Sequence, residues 1–420
     1  MTETVLEPEV DRAALQRRTL NSLRLATVPG QAAVAGMVAV VTLLASDLLG
    51  SDRLAGIGTA SFTLGAAITM VPLAAVMRRR GRRPGMTGAL LIGAAGSAIA
   101  ATGGQLRFFP LFVVGMVLFG AGQASTLQGR YVAADLAEPN HQATAIAAIV
   151  WIGALGAVFG PLLTPFEKAV AGRIGLDELV GPFVFASVMF LIAASVVWFR
   201  LRPDPLEVAG GIDPTAERTR PIKQVRASIG VIGQSSGARL GFAAMAISQA
   251  VMVGVMTMTP PHMKDHDHAD LSAFVIAVHI LGMYGLAPLV GRSVERIGRV
   301  RSIQVGAMIL GLGTLSTVMA GYVPALMFFG LFFLGLCWNI GLIAGSTLLT
   351  TSVPSESRVE VQGTSDLTMS ACGAIAAFGS GFVKASFGFH LLANGAAILA
   401  GFLLVSAWLT AARTRAAPAA

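Results

Sequence analysis

The sequence predicts an all-α polytopic membrane protein, with twelve transmembrane helices arranged as two pseudo-symmetric six-helix bundles. Three observations carry that expectation. Hydrophobic residues fill 54% of 420 positions and charged ones only 12%, against about 25% charged in soluble domains. Apolar stretches of about 18 residues or more, each able to cross a bilayer as a helix, recur along the whole chain. A single long polar stretch, 202–236, divides them six and six.

The elements follow in order. A charged tail, 1–21, lacks the apolar core of a signal peptide, so no removable leader is expected. The first bundle, 22–201, holds spans near 22–46, 54–77, 86–104, 108–128, 143–164 and 182–200. The linker, 202–236, scatters Pro203, Pro205, Gly210, Gly211 and Pro214 among charges, a composition that breaks helices. The second bundle, 237–411, holds spans near 237–259, 271–290, 301–320, 323–350, 363–384 and 389–411, followed by a tail at 412–420.

Charge sets the orientation. The net charge is +8, but no basic stripe with interleaved aromatics appears, so nucleic acid is not expected as a partner. Arg12, Arg17, Arg18 and Arg24 fall on one side with Arg78–Arg83, the linker cations, Arg292–Arg301, Arg413 and Arg415. The opposite loops are sparse or acidic: Asp47 and Asp52 in one, Arg107 alone in another, and Asp265, Asp267 and Asp270 in a third. The positive-inside rule then puts both termini in the cytoplasm, and the chain is expected in the cytoplasmic (inner) membrane. Cys337 and Cys372 both lie inside spans, which argues against a disulfide or a cysteine-rich metal site. No catalytic triad, phosphate loop or paired-carboxylate cleft stands out, so an enzyme is not expected. The expected partners are the lipid bilayer and a transported solute, with the chain a monomer and no bound cofactor.

Ala74-Ala-Val-Met-Arg78-Arg79-Arg-Gly81-Arg82 follows span two, and Gly291-Arg-Ser-Val-Glu295-Arg296-Ile-Gly298-Arg299 follows span eight. Both fit a G-x-x-x-[D/E]-R-x-G-R frame, the first departing at Ala74 and Arg78. The frame resembles the loop-2/3 signature of the major facilitator superfamily, and its recurrence in the second half is typical of that family. The resemblance implies two bundles around a central cavity that opens alternately to each side. It also implies a gate at Glu295, Arg296 and Arg299, with Arg79 and Arg82 in the first copy. Arg78 in place of the acid leaves the amino-terminal latch in doubt. Gly156-x-x-x-Gly160-Pro161 resembles the superfamily's antiporter motif, but Ala147 replaces a glycine and the arginine expected in span four is not found, Met116 lying near its place. Those small residues read as helix packing.

Asp366 follows Thr364 and Ser365 where span eleven begins, which reads as an N-terminal cap; a proton relay, possible coupling, is the alternative. Gln31, Gln123, Gln249, Trp338 and Asn339 are candidates for the cavity wall. The soft residues suggest the cargo. Met252 and Met256 are four apart on span seven, His279 and Met283 four apart on span eight, so each pair shares a helix face. Thioether and imidazole together suit Cu(I). His262, Met263, His266 and His268 form a candidate outer capture loop. The two pairs resemble the signature of the CcoA-type copper importers, a branch of the superfamily, which implies copper binding at these four residues. Two functions are therefore expected: copper uptake through a Met/His site, or proton-coupled export of small organic or amphipathic compounds.

Overall fold

Apolar helices that share a bilayer can bury backbone polar groups only internally, so the chain commits them to helical hydrogen bonds. The computed structural model describes residues 11–38, 40–50, 56–216, 220–265, 271–319 and 325–416. Its first half contains α1 (Arg12–Val38), α2 (Val41–Leu49), α3 (Gly56–Arg80), α4 (Arg82–Gln105), α5 (Phe109–Ala134), α6 (Gln142–Arg173) and α7 (Gly181–Arg200). The linker contributes α8 (Pro205–Val208) and α9 (Pro221–Gln234). The second half contains α10 (Ser236–Asp265), α11 (Ser272–Ile280), α12 (Ala287–Ile297), α13 (Arg299–Met319), α14 (Ala325–Thr351) and α15 (Arg358–Ala416). Within α15, Gly388 leaves helical geometry at φ 82° and separates the last two spans.

Among the described residues, eleven helices are long and apolar enough to span, and one bent pair supplies the twelfth. That pair is α11 and α12, joined by a π-helical turn at Leu281–Gly285 and bent by 44°. Counted with the bent pair, the spans are even in number and bring the start of α1 and the end of α15 to one face, called the terminal face below.

The bilayer acts as solvent for the outside. Phe378 is 87% exposed, Trp408 70% and Ile398 73%, apolar side chains that water would drive inward and lipid does not. Inside, one core joins α1–α7 around Met37, Phe112, Phe119 and Phe190. A second is built mainly from α10–α15 but also takes Tyr131, Ala143, Ile146 and Ala147 from α5 and α6. The bundles therefore share a core where α6 meets α12 and α14.

Several boundaries differ from expectation. α1 starts at Arg12 rather than near 22, because Leu15, Thr19, Ser22 and Leu23 keep one face buried below the bilayer. Gln16 and Ser22 bond the Ala133 and Arg200 carbonyls there. α6 runs to Arg173 despite Pro161 and Pro165. Gly156 and Gly160 seat it against α1: a Cβ on Gly156 would meet Ala32 N at 2.8 Å and one on Gly160 would meet Ala32 O at 2.6 Å. Packing is thus what this motif does. We expect Gly156→Leu to destabilise the fold by about 1–3 kcal/mol through overpacking, read as lost monodisperse protein and a lowered Tm in detergent.

Candidate functional site

Arg130 stands one turn before the end of α5, on the side that meets α15. Its guanidinium forms an ion pair with Asp366 across the two halves of the chain. It also donates to the Ser346 hydroxyl at 3.3 Å and to the Leu127 carbonyl at 2.7 Å. Asp366 accepts further bonds from Gln128 at 3.0 Å and from the Tyr131 hydroxyl at 3.3 Å. Arg130, Asp366, Ser346, Gln128 and Tyr131 are all buried. A buried pair of this kind is held only when most of its donors and acceptors are met, because each ion has given up its water.

Two sequence readings are corrected at this point. Asp366 is not an N-terminal cap: α15 begins at Arg358, two turns earlier, so the first-turn amides lie elsewhere. Span four does carry an arginine. α5 continues past 128 to Ala134 and takes Arg130 into its buried portion. The signal was available in Gln128-Gly-Arg130-Tyr131, three polar side chains in four residues at a span end.

A second layer lies toward the terminal face. Arg82, fully buried, grips both Asp135 oxygens at 2.8 and 3.1 Å. It reaches Gln362 at 2.9 Å and Gln128 at 3.4 Å, linking the layer to Asp366. Burial pushes the Asp135 carboxyl above its ordinary range, while the Arg82 guanidinium pulls it back. Asp204 orients this corner by accepting from the Arg82 and Arg83 amides at 3.1 and 2.7 Å. Gly81 is required between them, since its φ is 95° and a Cβ would strike the Asp204 carboxylate.

A third layer closes the terminal face. Arg78 donates to both Glu360 oxygens at 2.6 Å and to Asp213 of the linker at 3.3 Å. The position left in doubt by Arg78 thus carries an ion pair to Glu360 of the other half, with an arginine where the frame has an acid. In the second copy, Glu295 accepts from the Thr144 amide at 2.8 Å and hydroxyl at 2.6 Å, capping α6 from the other bundle. Arg299 donates to Thr351 at 3.1 Å and to the Pro139 carbonyl at 2.8 Å. Arg79 and Arg296 form no hydrogen bond or ion pair among the described residues.

Above these layers the bundles enclose a cavity of about 60 Å³ lined by Thr27, Gln31, Thr126, Arg130, Tyr284 and Trp338. Tyr284 lies edge-on to Trp338 with ring centroids 5.7 Å apart, and Trp338 donates to Gln249 at 2.5 Å. The Asn339 amide oxygen is buried without a partner among the described residues, as is that of Gln123.

The soft residues divide. Met252 and Met283 belong to the second core and Met256 packs against it. His279 is fully buried, 2.7 Å through Nδ1 from the Leu331 carbonyl. A carbonyl only accepts, so Nδ1 carries the proton and Nε2 presents a lone pair, which has no partner. His279 and Met283 both lie against Gly335 of α14, where a Cβ would meet His279 Nδ1 at 3.2 Å and Met283 N at 2.9 Å, and a π-turn at Leu281–Gly285 follows His279. His262 and Met263 are not in a loop: α10 extends to Asp265 and both are buried, His262 stacked on Phe389 at 4.1 Å. His266 and His268 lie outside the described residues. Among the described residues no three His, Cys, Asp or Glu side chains gather as a metal group.

The family model described as Major Facilitator Superfamily matches residues 26–377. The chain belongs to the Major Facilitator Superfamily. This transporter is 35% identical over 93% of its length, and 90% of the relative's, to the uncharacterized MFS-type transporter YddS of Bacillus subtilis. It is 27% identical to the riboflavin transporter RfnT of Brucella anthropi, covering 90% of this chain and 92% of that one. Its fold superposes on the human organic anion transporter MFSD10 with TM-score 0.75 at 16% identity, covering 94% and 99% of the two chains. A bacterial homologue of ferroportin in an outward-facing state gives TM-score 0.74 at 14% identity, covering 94% and 99%. The chain is thus a membrane transporter and not an enzyme.

The reversed latch makes a direct prediction. Arg78→Glu or Glu360→Arg alone will place like charges in contact, and the double exchange will restore attraction. A double-mutant cycle on Tm should give a coupling of about 0.5–3 kcal/mol, as expected for contacting residues. Asp366→Asn, which strands the Arg130 charge, should cost about 3–5 kcal/mol unless Arg130→Gln is made with it.

Proposed function

We propose that this protein is a secondary active transporter of a small planar organic solute, working by alternating access in the cytoplasmic membrane. The observation that carries the reading is the inter-bundle cavity, where Trp338 and Tyr284 offer aromatic faces beside Gln31, Thr27 and Arg130. Aromatic faces stack on planar rings and amides meet ring nitrogens and carbonyls. At about 60 Å³ the cavity admits about two waters at roughly 30 Å³ each. The solute is therefore taken when the bundles rock apart. The relative named for riboflavin supports this substrate class. The arginine-rich terminal face is read as cytoplasmic, so the latches keep the cytoplasmic side shut in this conformation.

Asp366 is assigned the coupling role. Protonation there removes the charge that Arg130 pairs with across the bundles, and the cost of parting them falls. A second reading, copper as cargo, is favoured by one observation: His279 donates Nδ1–H to Leu331 and keeps Nε2 unpartnered, the arrangement typical of a metal-ligating imidazole. Met252, Met256 and Met283 would complete that set.

Proteoliposomes loaded with a pH gradient test the first reading with radiolabelled riboflavin. Wild-type protein should accumulate flavin, Trp338→Ala should lose about tenfold or more of its uptake, corresponding to about 1.4 kcal/mol, and Asp366→Asn should keep exchange but lose accumulation. Flavin uptake by Asp366→Asn equal to wild type would remove the coupling role, and none by wild type would remove the substrate class. For copper, cells carrying His279→Ala should accumulate less of the radiolabelled ion at equal expression; equal accumulation ends that reading.

A further inference from the structure

Glu167 is an acid that the transport cycle proposed above does not use. It stands 25 residues beyond Gln142 in α6, about 37 Å along the axis at 1.5 Å per residue. A bilayer core is about 30 Å thick, so Glu167 lies near the face opposite the latches. Its side chain is buried, at 4% exposure, and neither carboxylate oxygen has a hydrogen-bond partner among the described residues. Lys168 and Arg173, the cations nearest in sequence, form no ion pair there. Gly181 at the start of α7 explains the burial: the Glu167 carbonyl comes so close that a Cβ would overlap it.

The carboxylate borders a pocket of about 170 Å³ between the last turns of α6 and the first turns of α7. Every other side chain lining it is apolar. Phe166, Ile174 and Val184 among them are exposed, so the pocket is open to the lipid around the helices.

These surroundings select the occupant. A carboxylate without donors is costly in an apolar setting. A metal ion needs several oxygen ligands, and the pocket offers one carboxylate. An anion would meet like charge. An organic ammonium suits both parts, since its N–H groups donate to the free oxygens and its carbon skeleton takes the apolar walls. Phe166 and Phe185 line the pocket and add rings that attract a cation. The last turn of α6 acts in the same sense, because a helix C-terminus carries partial negative charge. At roughly 30 Å³ per water, the volume equals about five or six waters, enough for an ammonium group and a few carbons.

We propose that the Glu167 pocket binds the protonated amine of an amphipathic organic cation, taken from the bilayer at the face opposite the latches. The site is separate from the central cavity and does not depend on the planar solute assigned there. No phosphate-binding side chain lines it, which favours a simple amine over a zwitterionic lipid headgroup.

The test uses the full-length protein in phosphatidylcholine nanodiscs, with radiolabelled octylammonium as the probe, followed by equilibrium dialysis and Tm. Wild-type protein should bind octylammonium saturably and gain Tm, and octanol at the same concentration should not raise it. Glu167→Gln should stay monodisperse and weaken binding about thirtyfold or more, as when one partner of a buried charge pair is removed. Val184→Trp, which keeps the acid but fills the pocket, should also abolish saturable binding. Unchanged binding in either variant, or an equal Tm rise with octanol, overturns the site and leaves Glu167 a neutral acid packed among apolar side chains. Discs of phosphatidylethanolamine offer the same ammonium from a second source. Binding retained there supports the free amine, and its loss overturns that occupant in favour of the lipid headgroup.

Discussion

The buried pair between Arg130 and Asp366 is the constraint on which the rest of this structure depends. It ties α5 of one half to α15 of the other, in surroundings where each charge alone would be prohibitive. Gln128, Tyr131 and Ser346 supply the remaining hydrogen bonds. Everything nearer the terminal face is arranged around keeping those groups dry. Arg82 and Asp135 seal the next layer, and the Arg78–Glu360 and Glu295–Thr144 contacts seal the last.

This layering gives alternating access a physical form. A transporter must hold its bundles together strongly enough to define a state and weakly enough to leave it. Partly exposed pairs such as Arg78–Glu360, at 23% and 18% side-chain exposure, contribute little each because water can replace the partner. In the mechanism proposed above, the dry pair is what would supply the bistability, since neutralising Asp366 removes a whole charge from it. The reversal of charge at Arg78 fits the same view. An attraction across the interface is what the latch needs, and which helix carries which sign is indifferent to that energy.

Much of the site was legible in the residues, and the failures have specific causes. Glu295 was singled out by its motif because the motif is a local spacing, and the structure bonds it to Thr144 of the opposite bundle. Arg130 was missed because hydropathy ends a span at its last apolar run, whereas a helix buried against neighbours continues through polar residues that find partners. Asp366 was misread for the same reason in reverse: a helix start was inferred from the apolar run, while α15 begins two turns earlier. The π-turn at Leu281–Gly285 was not expected, because a single π-turn is invisible to a periodicity of 3.6 residues. His262 and Met263 were placed in a loop because two prolines precede them, yet prolines near a helix end in a packed bundle do not stop it.

By itself the sequence determined the solvent, the number of spans, the two-bundle plan and the arginine-rich face, because each follows from counts of apolar and charged residues taken in order along the chain. The bilayer's thickness translates such counts directly into architecture. Only the tertiary structure decided which charges meet. Arg130 and Asp366, like Arg78 and Glu360, lie in different halves, and their pairing depends on how two bundles close on each other. No local pattern contains that information, since an ion pair is defined by distance in space and by the water it excludes.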